Sequence, residues 1–578
     1  MTDAAAQVEA AKKALAEAEA ALAAATAAAA KATTPPDQQA PAGAEEPLTT
    51  DEVASIRAGY AFDGPALEMG ALVNGGPLPD VPVRIPIAMV NRHGLVAGAT
   101  GTGKTKTLQV LAEQLSANGV PVFAADIKGD LSGIASPGEP TEKLLERTGS
   151  IGQDWKATAT PTEYYTLGGQ GIGVPIRATV SSFGPLLLSK VLGLNPTQES
   201  SLGLVFHYAD QAGLPLVDLS DLRAVLQWLV SDEGKPELKS LGGLSGATAG
   251  VILRELISFA DQGADVFFGE PEIDTALFLR TDDQGRGIVS LLEIPGVQDK
   301  PALFSTFLMW LLADLFNDLP EVGDIDKPKL VFFFDEAHLL FSGASKDFID
   351  SITQTIRLIR SKGVGIFFVT QTPKDVPADV LAQIGSRVQH QLRAHTPDDA
   401  KALKATVSTY PTSGYDLKQV LTELAIGEAI ITVMNEKGAP SPVAWTRLRA
   451  PQGSMAPTPA DRMQATVDAS PLSGTYGTVV DRDSAREILA VKMNAAAEAD
   501  ARREADKVAA AQAREAAKVK ADYDRAVRDM ERSSRPKTTT RTTTRKADNP
   551  IGDFLGSRGG QTVVREVLRG IFSTLKRK

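Results

Sequence analysis

Short segments made almost wholly of apolar residues recur along the middle of this chain, and polar residues follow each of them. Apolar runs without polar alternation are typical of strands that are buried on both faces of a parallel sheet. The pattern predicts strands at 93–97, 121–126, 288–294, 330–334, 364–369 and 387–392. Between these runs, apolar residues repeat at helical spacing. Alternating strands and helices predict an α/β fold with a doubly wound parallel sheet.

The same patterns, together with proline-rich and charged stretches, divide the chain into eight regions. In order, we expect an alanine-rich helix at 1–32, a linker at 33–51, a small N-terminal β-containing subdomain at 52–90, the first part of the α/β core at 91–182, a mostly helical insertion at 183–265, the second part of the core at 266–460, a charged C-terminal helix region at 461–532, and a basic flexible segment with an amphipathic tail helix at 533–578.

Composition and charge exclude some classes of function. The 578 residues include no cysteine, which excludes disulfides and thiolate metal sites. The longest apolar stretch, 302–316, is too short to span a bilayer and predicts a buried helix. Because the N-terminus lacks the pattern of a secretory signal, we expect a cytoplasmic protein. The net charge of −11 argues against a simple basic DNA-binding module, but it is compatible with a ring whose channel alone is basic.

One segment carries a complete phosphate-binding pattern, and it lies between a predicted strand and a predicted helix. A glycine-rich loop can wrap a triphosphate with its N–H groups, the lysine reaches the β and γ phosphates, and the hydroxyl binds Mg2+. The alternative is a glycine-rich turn with an accidental Lys-Thr pair. The predicted ATP-binding residues are Gly98, Ala99, Thr100, Gly101, Thr102, Gly103, Lys104 and Thr105.

Two acids follow the predicted strand at 330–334. Open α/β sheets place their ligands at the carboxyl ends of the strands, where Asp335 would lie. We expect Asp335 to hold Mg2+ through water and Glu336 to act as general base toward the attacking water. The alternative is a pair of acids that only cap the strand before the next helix.

A polar residue, Gln371, follows the predicted strand at 364–369. At that strand end it would lie beside the γ-phosphate and sense hydrolysis. The alternative is a turn that ends the strand, favoured by Pro373.

With these motifs and the segments 125–130, 368–371 and 424–429, the chain resembles the HerA/FtsK superfamily of ring ATPases, and in particular the bacterial HerA-like DUF853 (YjgR-like) group. The resemblance implies a RecA-like (ASCE) P-loop ATPase core, ATP and Mg2+ as cofactors, a homo-oligomeric hexameric ring, and ATP sites shared between subunits. It further implies an arginine supplied in trans, for which the candidates are Arg360, then Arg357, with Arg387 third.

Three functions remain open from the sequence. The first is a helicase-like translocase that acts on double-stranded DNA. The second is a ring ATPase that acts on a protein partner or at a membrane surface through the amphipathic C-terminal tail. The third is a nucleotide-gated scaffold with negligible turnover.

Overall fold

A computed structural model of the protein describes residues 46–294, 301–323, 325–341 and 346–533. The predicted N-terminal alanine-rich helix at 1–32 and the amphipathic tail helix lie outside the described residues. The chain divides into two compact units, one that ends at Asn494 and one that begins at Ala495. The sheet and the candidate site described below belong to the first unit.

Twelve strands form one mixed sheet. Their bounds are β1 Ala66–Val73, β2 Pro77–Pro86, β3 Gly94–Ala97, β4 Val122–Asp126, β5 Thr162–Leu167, β6 Val174–Ile176, β7 Val289–Glu293, β8 Leu330–Phe334, β9 Val364–Thr370, β10 Ser386–Gln389, β11 Glu428–Val433 and β12 Ala444–Leu448. Across the sheet the order is β2-β1-β12-β11-β10-β3-β9-β8-β4-β7-β5-β6.

Sixteen α-helices lie among the described residues. Their bounds are α1 Thr50–Gly59, α2 Lys104–Ala117, α3 Glu142–Ser150, α4 Val180–Val191, α5 Pro196–Gln211, α6 Leu219–Val230, α7 Gly246–Asp261, α8 Pro301–Asp318, α9 His338–Phe341, α10 Lys346–Ile359, α11 Ala378–Leu381, α12 Pro397–Val407, α13 Leu417–Glu423, α14 Ala460–Ala469, α15 Pro471–Tyr476 and α16 Ala485–Ser533.

The eight strands from β10 to β6 pair in parallel, which confirms the predicted α/β fold with a parallel sheet at its centre. All six strands predicted from apolar runs are among them, within a few residues of the expected bounds. Strands β3, β4, β7, β8 and β9 are buried at every position, which explains why their sequences show no polar alternation.

Four further strands extend the sheet beyond β10 in antiparallel pairing. Segment 52–90, predicted as a separate small subdomain, supplies two of them, β1 and β2, so these strands are continuous with the sheet of the core. Helices α4 to α7 fall mainly within the segment predicted as a helical insertion. The predicted domain boundaries remain predictions.

Local sequence signals explain where helices begin. In α5, the Asn195 side chain accepts a hydrogen bond from the Gln198 N–H, and the Gln198 side chain accepts one from the Asn195 N–H. Pro196 takes the first helical position, where its missing N–H costs nothing. Helix α8 contains the longest apolar stretch, and most of its described side chains are buried. None of the described helices combines the length and the apolar character needed to cross a membrane.

Candidate nucleotide site

The phosphate-binding loop connects β3 to α2 at the carboxyl edge of the parallel strands. Two of its positions illustrate why its backbone needs glycine. A Cβ on Gly98 would lie 2.4 Å from the Cβ of His390, and Gly103 adopts a left-handed φ of 106°. Gly103 is also the N-cap of α2, so the free N–H groups at the helix start face the loop. This glycine cradle and helix N-terminus fit the phosphates of a nucleotide.

Lys104 is the first residue of α2 and bends over the loop. Its Nζ donates to the carbonyl oxygen of Gly98 at 2.7 Å and to that of Ala99 at 3.2 Å. Burial lowers the pKa of Lys104, and the charges of Glu336 and Asp335 oppose that shift. The ammonium group therefore lies between the loop backbone and the two acids that were predicted to take part in hydrolysis.

Asp335 and Glu336 lie in the turn directly after β8, and both are buried, with exposed fractions of 6% and 4%. The backbone N–H of Glu336 donates to Asp335 Oδ1 at 2.9 Å, and Glu336 has a left-handed φ of 46°. Burial, with a contribution from the Glu336 charge, raises the pKa of Asp335 to about 6. A buried carboxylate pair facing a lysine and a phosphate cradle fits a hydrated Mg2+ ion.

The loop after β4 completes this side of the site, because β4 pairs with β8. Thr105 Oγ1 donates to Asp130 Oδ2 at 3.2 Å, and Lys128 Nζ donates to Glu336 Oε1. Glu336 Oε2 lies 3.3 Å from His338 Nδ1. Burial acts to raise the pKa of Glu336, but the hydrogen bond and charge of Lys128 outweigh it and lower that pKa.

His390, which directly follows β10, contacts both β3 and α2 on either side of the phosphate-binding loop. Its backbone N–H donates to the Ala97 carbonyl at 2.7 Å, and its Nε2 lies 3.0 Å from Thr107 Oγ1 in α2. Burial, with a contribution from the Lys104 charge, lowers the pKa of His390 to about 3, so the ring is neutral. A turn before β11 also contacts the loop, since the Gly427 N–H donates to the Thr102 carbonyl at 3.2 Å.

The sequence did not single out Lys128, Asp130 or His390 as site residues, although 125–130 is part of the family resemblance. The signal that could have indicated them is their position in the sequence: Lys128 and Asp130 follow one buried strand, and His390 directly follows another strand. Polar residues at the carboxyl ends of parallel strands are expected to meet at one edge.

The structure places the other predicted residues at different ends of the strands. Gln371 is exposed and directly follows β9, at the same edge as the phosphate-binding loop. Arg357, which is exposed, and Arg360, which is half-buried, precede β9. Arg360 is near enough to His93 to contribute to lowering its pKa, and His93 lies just before β3. Arg360 is therefore at the opposite end of β3 from the phosphate-binding loop of its own chain.

The family described as Helicase HerA-like C-terminal matches residues 74–578, which is most of the chain. The chain belongs to this HerA-like family. This membership confirms the predicted HerA/FtsK resemblance, and the protein is a P-loop ATPase. Placement in the DUF853 (YjgR-like) group stays a prediction.

The HerA-like chain is also similar to individual proteins. It is 24% identical over 401 residues to the DNA double-strand break repair helicase HerA of Sulfurisphaera tokodaii, covering 68% of this chain and 72% of that protein. It is 24% identical over 362 residues to the "Probable helicase MJECL08" of Methanocaldococcus jannaschii, covering 59% of this chain and 64% of that protein. Among solved structures, the plasmid coupling protein TrwB with the ATP analogue ADPNP matches with 16% identity and a TM-score of 0.48, covering 72% of this chain and 95% of that chain.

One more acid of the HerA-like chain lies close to the loop that follows β4. Glu293 ends β7, which pairs with β4, and its Oε1 is buried without a hydrogen-bond partner among the described residues. Burial, reinforced by the charges of Asp126 and Asp130, raises the pKa of Glu293 to about 8. Burial in the folded protein therefore favours the neutral form of this carboxyl group.

We expect Glu293 to make the HerA-like fold less stable as pH rises. The folded chain keeps the Glu293 proton up to about pH 8, whereas an unfolded chain loses it near 4.5, so the free energy of unfolding falls across that window. Glu293→Gln keeps a neutral side chain and should remove part of that fall. Melting temperatures measured from pH 5 to 9 should therefore diverge in favour of the variant as pH rises. Parallel curves for wild type and variant would contradict the expectation, and Glu142→Gln on exposed α3 is the control.

Proposed function

We propose that this protein is one subunit of a ring-shaped motor that hydrolyses ATP and moves double-stranded DNA. The observation that carries the proposal is that Lys104, Thr105, Asp335 and Glu336 converge at one edge of the sheet. ATP binding alone needs only Lys104 and Thr105. Hydrolysis by activated water also requires a buried carboxylate pair such as Asp335 and Glu336.

The roles of the residues follow from their chemistry. Lys104 binds the β and γ phosphates through its ammonium group, and the loop N–H groups surround them. Thr105 Oγ1 and Asp335 would hold Mg2+, Asp335 through water, and the bound metal would neutralise charge on the phosphates. Glu336 accepts the proton of the attacking water as the new bond to the γ-phosphorus forms and the bond to the bridging oxygen breaks. ADP and phosphate are the products.

The assembly we propose is a homo-oligomer, a hexamer by analogy with the family. Arg360 lies near His93, at the end of β3 remote from the phosphate loop of its own chain. An arginine that stabilises the transition state would then come from a neighbouring subunit, with Arg360 as first candidate and Arg357 as second. We assign to exposed Gln371, which directly follows β9, the role of reporting the state of the γ-phosphate to that neighbour.

Double-stranded DNA is the substrate that we favour, and the cytoplasm is the compartment. The support is the relative from Sulfurisphaera tokodaii, which is named as a DNA double-strand break repair helicase. The net charge of −11 requires that basic residues be concentrated where DNA passes. Action on a protein partner or at a membrane rests on the C-terminal tail, which lies outside the described residues.

The test is an ATPase assay with and without duplex DNA, on protein whose oligomeric state is measured in parallel by mass photometry. We expect turnover to rise with duplex DNA and the stimulation to fall as salt is raised, because phosphate contacts release counterions. Heparin is the control for nonspecific polyanion binding. ATPase rates that are the same with and without DNA would contradict the DNA-motor proposal while leaving the ATPase itself intact.

A further inference from the structure

The loop that follows β4, residues 127–130, is held rigidly against the site; we call it the β4 loop. Asp126, the last residue of β4, anchors it from inside. Asp126 Oδ1 accepts the N–H of Gly129 at 2.8 Å, and Oδ2 accepts the N–H of Leu131 at 2.8 Å. Because both carboxylate oxygens are used, the loop backbone has a defined position relative to the end of β4.

Two side chains of the β4 loop contact residues of the proposed machinery. Lys128 Nζ donates to Glu336 Oε1, and Asp130 Oδ2 accepts from Thr105 Oγ1 at 3.2 Å. The Glu336 side chain is 5% exposed, while that of Lys128 is 39% exposed. The buried Glu336 side chain therefore has little freedom to move, whereas the more exposed Lys128 side chain can turn away into solvent.

The pair with Lys128 is unfavourable for the task of Glu336. A general base needs a carboxylate oxygen that is free to accept a proton from water. In this structure Oε1 is occupied by the Lys128 ammonium, while Oε2 is buried away from water beside His338, without a hydrogen-bond partner among the described residues. The backbone of Glu336 cannot turn away easily, because its N–H is bonded to Asp335 Oδ1 and Ala337 N–H is bonded to the Val369 carbonyl.

We propose that Lys128 is a positioning residue that restrains Glu336 and must release it before Glu336 can take a proton from water. The inference rests on the proposed function, since it concerns how Lys128 restrains Glu336, the proposed general base. During release Lys128 stays protonated and exchanges its carboxylate partner for water. Asp130 ties the same loop to Thr105, so the hydroxyl that would bind Mg2+ and the base are restrained by one segment.

The first test needs no nucleotide and no turnover. Lysines of the wild-type full chain and of Glu336→Ala are acylated with an amine-reactive ester and quantified by peptide mass spectrometry. Pairing with a carboxylate suppresses the neutral, reactive amine, so Lys128 should react at least about threefold faster in the variant. Lys156, which pairs with Asp154 on the surface at 2.7 Å, is the internal reference. Equal Lys128 acylation rates in the two proteins would show that Glu336 does not hold Lys128, and would overturn the proposal.

The second test separates turnover from nucleotide binding. Lys128→Met should raise kcat at least about twofold and leave KM within about twofold, because it frees the base without touching the phosphate cradle. Lys128→Arg keeps a cation that can pair with Glu336 and should return kcat toward wild type, and Lys156→Met is the control. A kcat that falls in Lys128→Met would overturn the proposal. Wild-type protein that fails to hydrolyse ATP would instead refute the proposed function, and the acylation result would still stand.

Discussion

Replacing Lys104 with alanine is expected to abolish binding of both ATP and ADP. The Lys104 ammonium is buried between the phosphate loop and the two acids, where it bonds the carbonyls of Gly98 and Ala99. A bound phosphate would take over those hydrogen bonds, and charge-assisted bonds to phosphate are strong in a partly buried site. We expect the Kd to rise at least about 100-fold, roughly 2.7 kcal/mol, by isothermal titration calorimetry.

The control for Lys104→Ala is Lys190→Ala. Lys190 is also partly buried and pairs with Glu199 at 3.2 Å, but it lies in α4, in the predicted helical insertion. This variant should bind nucleotide like the wild type, which excludes a general effect of losing a lysine. Wild-type nucleotide affinity in Lys104→Ala would contradict the assignment of the phosphate loop.

Replacing Glu336 with glutamine is expected to stop hydrolysis and to preserve nucleotide binding. The amide has nearly the shape of the carboxylate but cannot accept the proton of the attacking water. Steady-state turnover should fall at least about 100-fold, as expected for loss of a general base. Because the phosphate contacts are unchanged, the Kd for ATP should change little, and ATP should stay bound.

Two comparisons sharpen the Glu336→Gln result. Glu142→Gln changes an exposed acid at the start of α3 and should keep wild-type turnover. Single-turnover measurement with radiolabelled ATP would show intact ATP retained by Glu336→Gln. If wild type and Glu336→Gln both hydrolysed ATP very slowly and at the same rate, the protein would instead be a nucleotide-gated scaffold.

The central strands were predictable because local sequence determines their burial. Strand β8 is apolar at every position, and such a run has few alternatives to a strand covered on both faces. Strands β1 and β2 were not predicted as part of the same sheet, because the pairing that attaches them joins distant residues, such as Gly70 with Leu448. Strand β12 also alternates between buried and half-buried positions, which is a weaker signal than a continuous apolar run.

The candidate site was likewise predictable only in part. The phosphate loop and the pair Asp335-Glu336 are local motifs, so the sequence alone indicated their chemistry. The contact of Lys128 with Glu336 depends on β4 lying next to β8, and that of His390 with Ala97 depends on β10 lying next to β3. Strand order is set by the packing of the whole sheet, and no short sequence pattern encodes it.

The position of β3 in the sheet has a consequence for the protein during its synthesis. Strand β3 lies between β10 and β9, both of which follow it by most of the length of the core, and the Gly427 turn completes its loop. A ribosome therefore exposes the nucleotide-binding segment long before the strands that must flank it exist. We therefore expect ATP binding to appear only after synthesis has passed Gly427, when the strands that flank β3 are present.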